Sequence, residues 1–176
     1  MNNIVIGNIV MSLSVIVKII TMQQNDKKKI LIGLILENLI SAIGFVFLTS
    51  YSAVVVTSLA IAQTYIKYRY DLKNKKLSNV FQVAFIILAI AMGILTIKTL
   101  FDVLPMICLV LYTLSILQSK EKNIRLFTIV NILGWIIYDY YAKSYIGFAF
   151  NIFTFISTII AIYRYDMKKK EEKWKS

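Results

Sequence analysis

Tyr68-Arg69-Tyr70-Asp71 spells YRYD, and Leu-Lys-Asn-Lys-Lys comes directly after it. The same four letters return 95 residues later as Tyr163-Arg164-Tyr165-Asp166, with Met-Lys-Lys-Lys behind them. Each copy stands where a long apolar run meets a lysine cluster. Seven such runs fill the chain: 4–22, 30–48, 53–66, 80–97, 101–117, 126–141 and 144–163. A hydrocarbon core about 30 Å thick takes roughly 20 apolar residues in a helix, and most runs reach that length with their flanks. Barrel strands would be about 10 residues with strict alternation, which these are not. Lipid offers no partner to a backbone amide, so each run is expected to be a helix. The composition agrees: 59% hydrophobic and 16% charged, with a mean hydropathy of +0.71, against about half and a quarter in soluble domains. The expected fold class is an all-α membrane protein with seven transmembrane helices.

The net charge of +11 is distributed rather than diffuse. Seventeen of the 20 basic residues fall in 27–29, 67–76, 120–125 and 164–175, which are alternate connections counting the C-terminus. This is the positive-inside pattern, and it predicts a cytoplasmic C-terminus and an outside N-terminus. The basic residues then report topology and contact with anionic lipid head groups. A nucleic-acid partner is not expected, because no folded soluble segment presents a basic face. The single cysteine, Cys108, lies inside an apolar run, so no disulfide framework forms. The first run has an uncharged Met-Asn-Asn start and no small-residue cleavage site, and is expected to stay as a helix.

The YRYD offset also aligns the rest of the chain. Met22-Gln23-Gln24-Asn25-Asp26-Lys27 falls on Leu117-Gln118-Ser119-Lys120-Glu121-Lys122, and Ser50-Tyr51 falls close to Ser144-Tyr145. Each half reads helix, basic loop, helix, short neutral turn, helix, YRYD, lysines. Three crossings per half leave the second half inverted unless one more crossing intervenes, and 80–97 supplies it. The prediction is a 3+1+3 parallel repeat: a first three-helix unit at 1–76, a linker helix at 77–98 and a second unit with a basic tail at 99–176. Parallel repeats of this kind occur in secondary transporters, with the substrate site near the midplane between halves.

This order of helices and loops resembles the SWEET/PQ-loop superfamily of small-solute transporters. At finer grain it is similar to the YgjV-type family of bacterial inner-membrane proteins. The residues that carry the resemblance are Leu104-Pro105, the stretch from Gly134 to Gly147 and Arg164, with Ser50-Tyr51 and Arg69 in the first half. The chain departs from the pattern in two places. Pro105 is followed by Met106 rather than glutamine, and Ala60 and Gln63 stand where relatives carry asparagine or arginine. The resemblance implies a bacterial inner-membrane location and passage of a small polar solute. It also implies that Trp135 and Asn151 correspond to the aromatic and amide pair that holds substrate in such transporters.

Polar residues inside apolar runs cost free energy and so mark candidate sites. Glu37 lies about 10 Å into its helix at 1.5 Å per residue, with Asn38 beside it and Ser41 one turn on. It either titrates or coordinates a cation, or it snorkels or pairs with Lys18. Asn131, Trp135, Tyr138 and Asp139 share one helical face, and Asn151, Thr154 and Thr158 another. The expected solute-lining set is Glu37, Asn38, Ser41, Thr57, Ser58, Trp135, Tyr138, Asn151 and Thr158. The competing reading for the hydroxyl residues is packing surface, and for Trp135 an interfacial belt. Pro105 is either a hinge or a first-turn proline without consequence, and Tyr112 and Ser115 face the interior or pack against neighbours. The YRYD residues Tyr68, Arg69, Asp71, Tyr163, Arg164 and Asp166 are expected to anchor helix ends at the head-group level. There Arg69 and Arg164 would stand beside the aspartates at the negative end of each helix dipole. A cytoplasmic gate made by the two copies is the alternative.

Catalysis finds no footing here. The chain has no histidine, one cysteine and no glycine-rich phosphate loop, and Asp102 and Asp139 have no nucleophile or base beside them. No enzyme activity, cofactor or metal is expected. The expected partners are a small polar solute and membrane lipid, and a homo-oligomer is left open. A non-transporting accessory protein, such as a substrate-capturing subunit, receptor or immunity factor, is the competing function.

Overall fold

A computed structural model describes residues 3–47, 51–75, 77–96, 103–141 and 145–167. The described residues form seven α-helices: α1 (Asn3–Met22), α2 (Lys27–Phe47), α3 (Tyr51–Leu72), α4 (Asn79–Thr96), α5 (Val103–Leu117), α6 (Glu121–Tyr141) and α7 (Tyr145–Ala161). A π-helical turn, Ile162–Met167, continues α7. Among the described residues three stretches are long and apolar enough to cross a membrane: Asn3–Met22, Lys27–Phe47 and Gly147–Met167. Met106–Leu117 is a shorter apolar helix.

The short polar connections stop and restart the helices by identifiable bonds. Asp26 caps α2: its carboxylate accepts from Lys28 N at 2.7 Å, and its carbonyl accepts from Ile30 N at 2.9 Å, satisfying amides that have no partner within the helix. Beyond α3, Asn74 takes φ = 51°. Lys75 N donates to Tyr70 O at 3.0 Å and Asn74 N to Asp71 O at 3.2 Å. That is the paired closure of a left-handed helix terminus, a conformation asparagine tolerates better than most residues.

The helices pack in a repeating order. α1 lies on α2 and α2 on α3; α5 lies on α6 and α6 on α7. The two groups meet where α1 touches α7 and α3 touches α5, and α4 leans on α5 with lighter contact to α3. α1 and α2 approach closely because Gly33 leaves room for Thr21: a Cβ at Gly33 would lie 2.6 Å from Thr21 Cγ2. Gly134 does the same for α5 and α6, where a Cβ would meet Cys108 Sγ at 2.6 Å.

Polarity is inside out. The buried set among the described residues includes Ser14, Asn38, Gln63, Thr64, Thr113, Arg125, Asn131, Thr154 and Thr158, while Ile4, Ile20, Val80, Ile87, Ile94 and Phe153 are more than half exposed. An exterior of this kind requires a hydrocarbon solvent, because contiguous apolar surface of that extent is not left in water by a monomer. At the basic end, Met22, Ile30, Leu31, Leu34, Ile116 and Ile124 form one apolar cluster joining both groups, with Tyr68, Tyr112 and Leu117 packed against it.

Candidate functional site

A buried polar seam lies between the two groups. Asn38, 7% exposed, shares the two protons of Nδ2 among Leu34 O at 2.7 Å, Glu37 Oε2 at 3.1 Å and Tyr112 Oη at 3.1 Å. Tyr112 Oη lies 2.7 Å from Thr64 Oγ1, and Thr64 itself donates to Ala60 O at 2.7 Å. A hydroxyl carries one proton, so Tyr112 is the donor to Thr64. The chain therefore runs in one direction: Asn38 amide, Tyr112 phenol, Thr64 hydroxyl, Ala60 carbonyl. Glu37 continues it on the other side, its Oε1 3.8 Å from Lys18 Nζ on α1.

At the neighbouring positions of the same contact between α3 and α5, Thr113 Oγ1 donates to Leu109 O at 2.9 Å or to Gln63 Oε1 at 3.2 Å. Gln63 is fully buried, and its Nε2 has no hydrogen-bond partner. Such an orphan costs about 1–3 kcal/mol. The seam thus draws on α1, α2, α3 and α5, and it is closed except at this amide.

A second polar layer closes the basic end. Arg125 on α6 is fully buried; its Nη1 donates to both carboxylate oxygens of Asp166 at 2.9 Å. Its Nε donates to Met22 O at 3.2 Å and its Nη2 to Gln24 O. Tyr165 covers the guanidinium at 5.3 Å. Asp71 is matched differently, by Lys27 Nζ at 2.6 Å and Lys67 Nζ at 2.5 Å. In each group the YRYD aspartate is held by a cation near the start of the middle helix, Lys27 on α2 for Asp71 and Arg125 on α6 for Asp166. Arg69 turns instead to Tyr65 Oη at 3.1 Å, and Arg164 lies over Tyr165 at 5.3 Å.

Sequence comparison assigns the fold to a lineage. Residues 5–169 match the family model described as Imp-YgjV, bacterial inner membrane protein. The chain belongs to the Imp-YgjV family. No curated protein and no solved structure matches it. An Imp-YgjV protein resides in the bacterial inner membrane, which accounts for the apolar exterior.

Of the residues singled out from the sequence of this Imp-YgjV protein, Glu37 and Asn38 enter the seam, and Ser41 is buried one turn beyond them. Thr57 is half-buried and donates to Val54 O at 3.1 Å, and Ser58 is exposed on α3. Trp135 and Tyr138 are half-buried and stack edge to face at 5.8 Å. Asn151 is half-buried on α7, and Thr158 is fully buried with its hydroxyl on Thr154 O at 2.7 Å. Asn131 is buried and bonds Cys108 O at 2.5 Å. Tyr68 packs on the apolar cluster, and Tyr163 is 63% exposed. Ser50, Lys76, Lys98, Asp102, Lys143 and Ser144 lie outside the described residues, as do the side chains of Gln82, Pro105 and Asp139. Among the described residues no group of His, Cys, Asp or Glu could hold a metal.

Thr64, Thr113 and Arg125 did not stand out in the sequence as candidates. For the first two a signal existed: Glu37-Asn38, Gln63-Thr64 and Tyr112-Thr113 are consecutive polar pairs, each directly following an apolar stretch. Arg125 had none, because it sits among Lys120 and Lys122 and reads as one more charge of a basic loop.

Proposed function

We propose that the protein is a multi-pass inner-membrane transporter or facilitator that passes a small polar solute between two three-helix bundles, α1–α3 and α5–α7, with α4 as the linker. The observation that carries this reading is the seam Glu37–Asn38–Tyr112–Thr64 with Gln63–Thr113. Polar groups this costly inside apolar helices are kept where they meet a ligand or an ion, and these stand where the two groups touch. The helix order supports the bundle reading: exchanging the groups turns the contact of α1 with α7 into that of α5 with α3, and both contacts exist. A twofold relation along the membrane normal has this property, as in parallel-repeat transporters.

In this reading Trp135, Tyr138, Asn151 and Thr158 line the opposite wall from Glu37, Asn38 and Ser41, with Thr57 and Ser58 nearer the outer mouth. Passage is passive or proton-linked, and in the proton-linked form Glu37, held by Lys18, is the group that would carry the proton. The basic loops face the cytoplasm and the N-terminus faces outside, and the protein acts as a carrier rather than an enzyme. Purified protein in liposomes tests it. Counterflow of a sugar, amino acid or vitamin that is lost in Asn38→Ala and Tyr112→Phe is the expected result. Binding without counterflow under any gradient would sink the transporter and leave a solute-capturing accessory protein.

A further inference from the structure

We propose that Arg125 is the latch that holds the cytoplasmic end shut, a role that rests on the transporter reading and that no motif in the chain announces. The guanidinium uses its planar fork in two directions. Toward its own bundle it grips Asp166 with both oxygens at 2.9 Å. Toward the other bundle it donates to Met22 O and Gln24 O. Met22 O is a carbonyl at the end of α1, left without a helical partner at the negative end of the helix dipole, and Gln24 O lies two residues beyond it in the connection to α2. Lysine offers three donors on a single nitrogen and no fork, so it cannot reproduce four bonds spread over three nitrogens.

Further bonds that cross between the groups at this end come from the same α1–α2 connection. Gln23 Nε2 donates to Ser157 O at 2.7 Å and to Ser157 Oγ at 2.9 Å, and Lys27 N donates to Glu121 Oε1 at 3.1 Å. The connection is therefore seated on α6 and α7 with Arg125 at the centre of the seat. Directly inward lies the apolar cluster of Met22, Ile30, Leu31, Leu34, Ile116 and Ile124. Parting the bundles at this end requires the guanidinium to leave two carbonyls, while Asp166 can travel with it. Ninety-five residues before Arg125 stands Ile30, buried in that apolar cluster. The latch is one-sided: the first bundle offers carbonyls and the second offers the cation.

The experiment uses the full chain with Cys108→Ala, which removes the sole cysteine, and spin labels at Asn25→Cys and Lys122→Cys, both exposed. The parent is expected to give one short distance. Arg125→Ala should add a longer population, raised about tenfold or more, because each lost charge-assisted bond is worth about that factor. The exchange Arg125→Asp with Asp166→Arg keeps the ion pair but removes the bonds to Met22 and Gln24, and it should open like Arg125→Ala. A parental distance distribution in the exchange variant, or in Arg125→Ala, overturns the latch. Should Arg125→Ala fail to fold, Arg125→Lys decides: a longer population supports the latch and an unchanged one overturns it. A latch that opens while liposomes exchange none of the solutes leaves the latch standing and removes the transport function.

Discussion

Tyr112 is the residue on which the seam turns. Its phenol accepts from Asn38 and donates to Thr64, so it transmits one direction of polarity from α2 to α3 by way of α5. Tyr112→Phe keeps the ring packed on the apolar cluster but strands one acceptor and one donor. The expected loss is about 1–3 kcal/mol, read as a lowered thermal unfolding midpoint in detergent. Thr64→Val should cost less, because Tyr112 then loses only its acceptor. Arg125 stands at the other extreme of consequence. Asp166→Asn leaves a buried guanidinium without its counter-charge, and breaking such a pair costs about 3–5 kcal/mol. Denaturant titration of Asp166→Asn against Asp71→Asn separates the two YRYD aspartates: Asp71, with two lysines that reach solvent more easily, should lose less.

At the scale of elements, one tetrapeptide closes two helices in two ways. The first copy stays α-helical to Leu72, and Asn74 ends it in the left-handed region. The second lies within the π-helical turn that delivers Asp166 to Arg125. Identical letters thus take different backbones, because the groups they must reach differ: lysines on α2 and α3 for Asp71, a buried guanidinium on α6 for Asp166. Asn74→Gly should be neutral, whereas Asn74→Val should destabilise by about 1–2 kcal/mol, since a branched β-carbon crowds the carbonyl in that conformation and lacks the local hydrogen bonding that lets asparagine adopt it; thermal unfolding of the two variants reads the difference. The contact of α1 with α2 rests on close approach in the same way. Gly33→Ala drives a methyl into Thr21, and adding Thr21→Gly should recover part of the lost midpoint.

For the whole molecule, solvent decides the arrangement. Thr158, Thr154, Gln63 and Arg125 are buried while Ile4, Val80 and Phe153 face outward, the reverse of a soluble domain, because hydrocarbon is an apolar solvent with no hydrogen bonds to offer. The alternation of basic connections carries a topological prediction. A reporter fused after Lys76 or Lys170 should read cytoplasmic, and one inserted at Ser50 or Lys143 should read outside. A cytoplasmic signal at Ser50 would dismantle the seven-span arrangement.

Much of this was legible from residue order. The apolar runs dictate helices, since a backbone in lipid must satisfy itself, and the helices of the structure track those runs closely. Glu37 and Asn38 stood out because a carboxylate and an amide are expensive at that depth; the structure sets both in the polar seam and pairs Glu37 with Lys18, which was the alternative to a functional reading of that carboxylate. The polar pairs Gln63-Thr64 and Tyr112-Thr113 were visible as letters but not as one seam, for nothing local says which faces of α3 and α5 meet. Arg125 was wholly illegible. In sequence it is a loop cation like Lys122; in space it is sealed, because carbonyls from the end of α1 and the connection after it and a carboxylate beyond α7 converge on it. Local chemistry settles which segments are helices and what solvent they face. Only the packing of segments a hundred residues apart decides which charges leave water and what they hold.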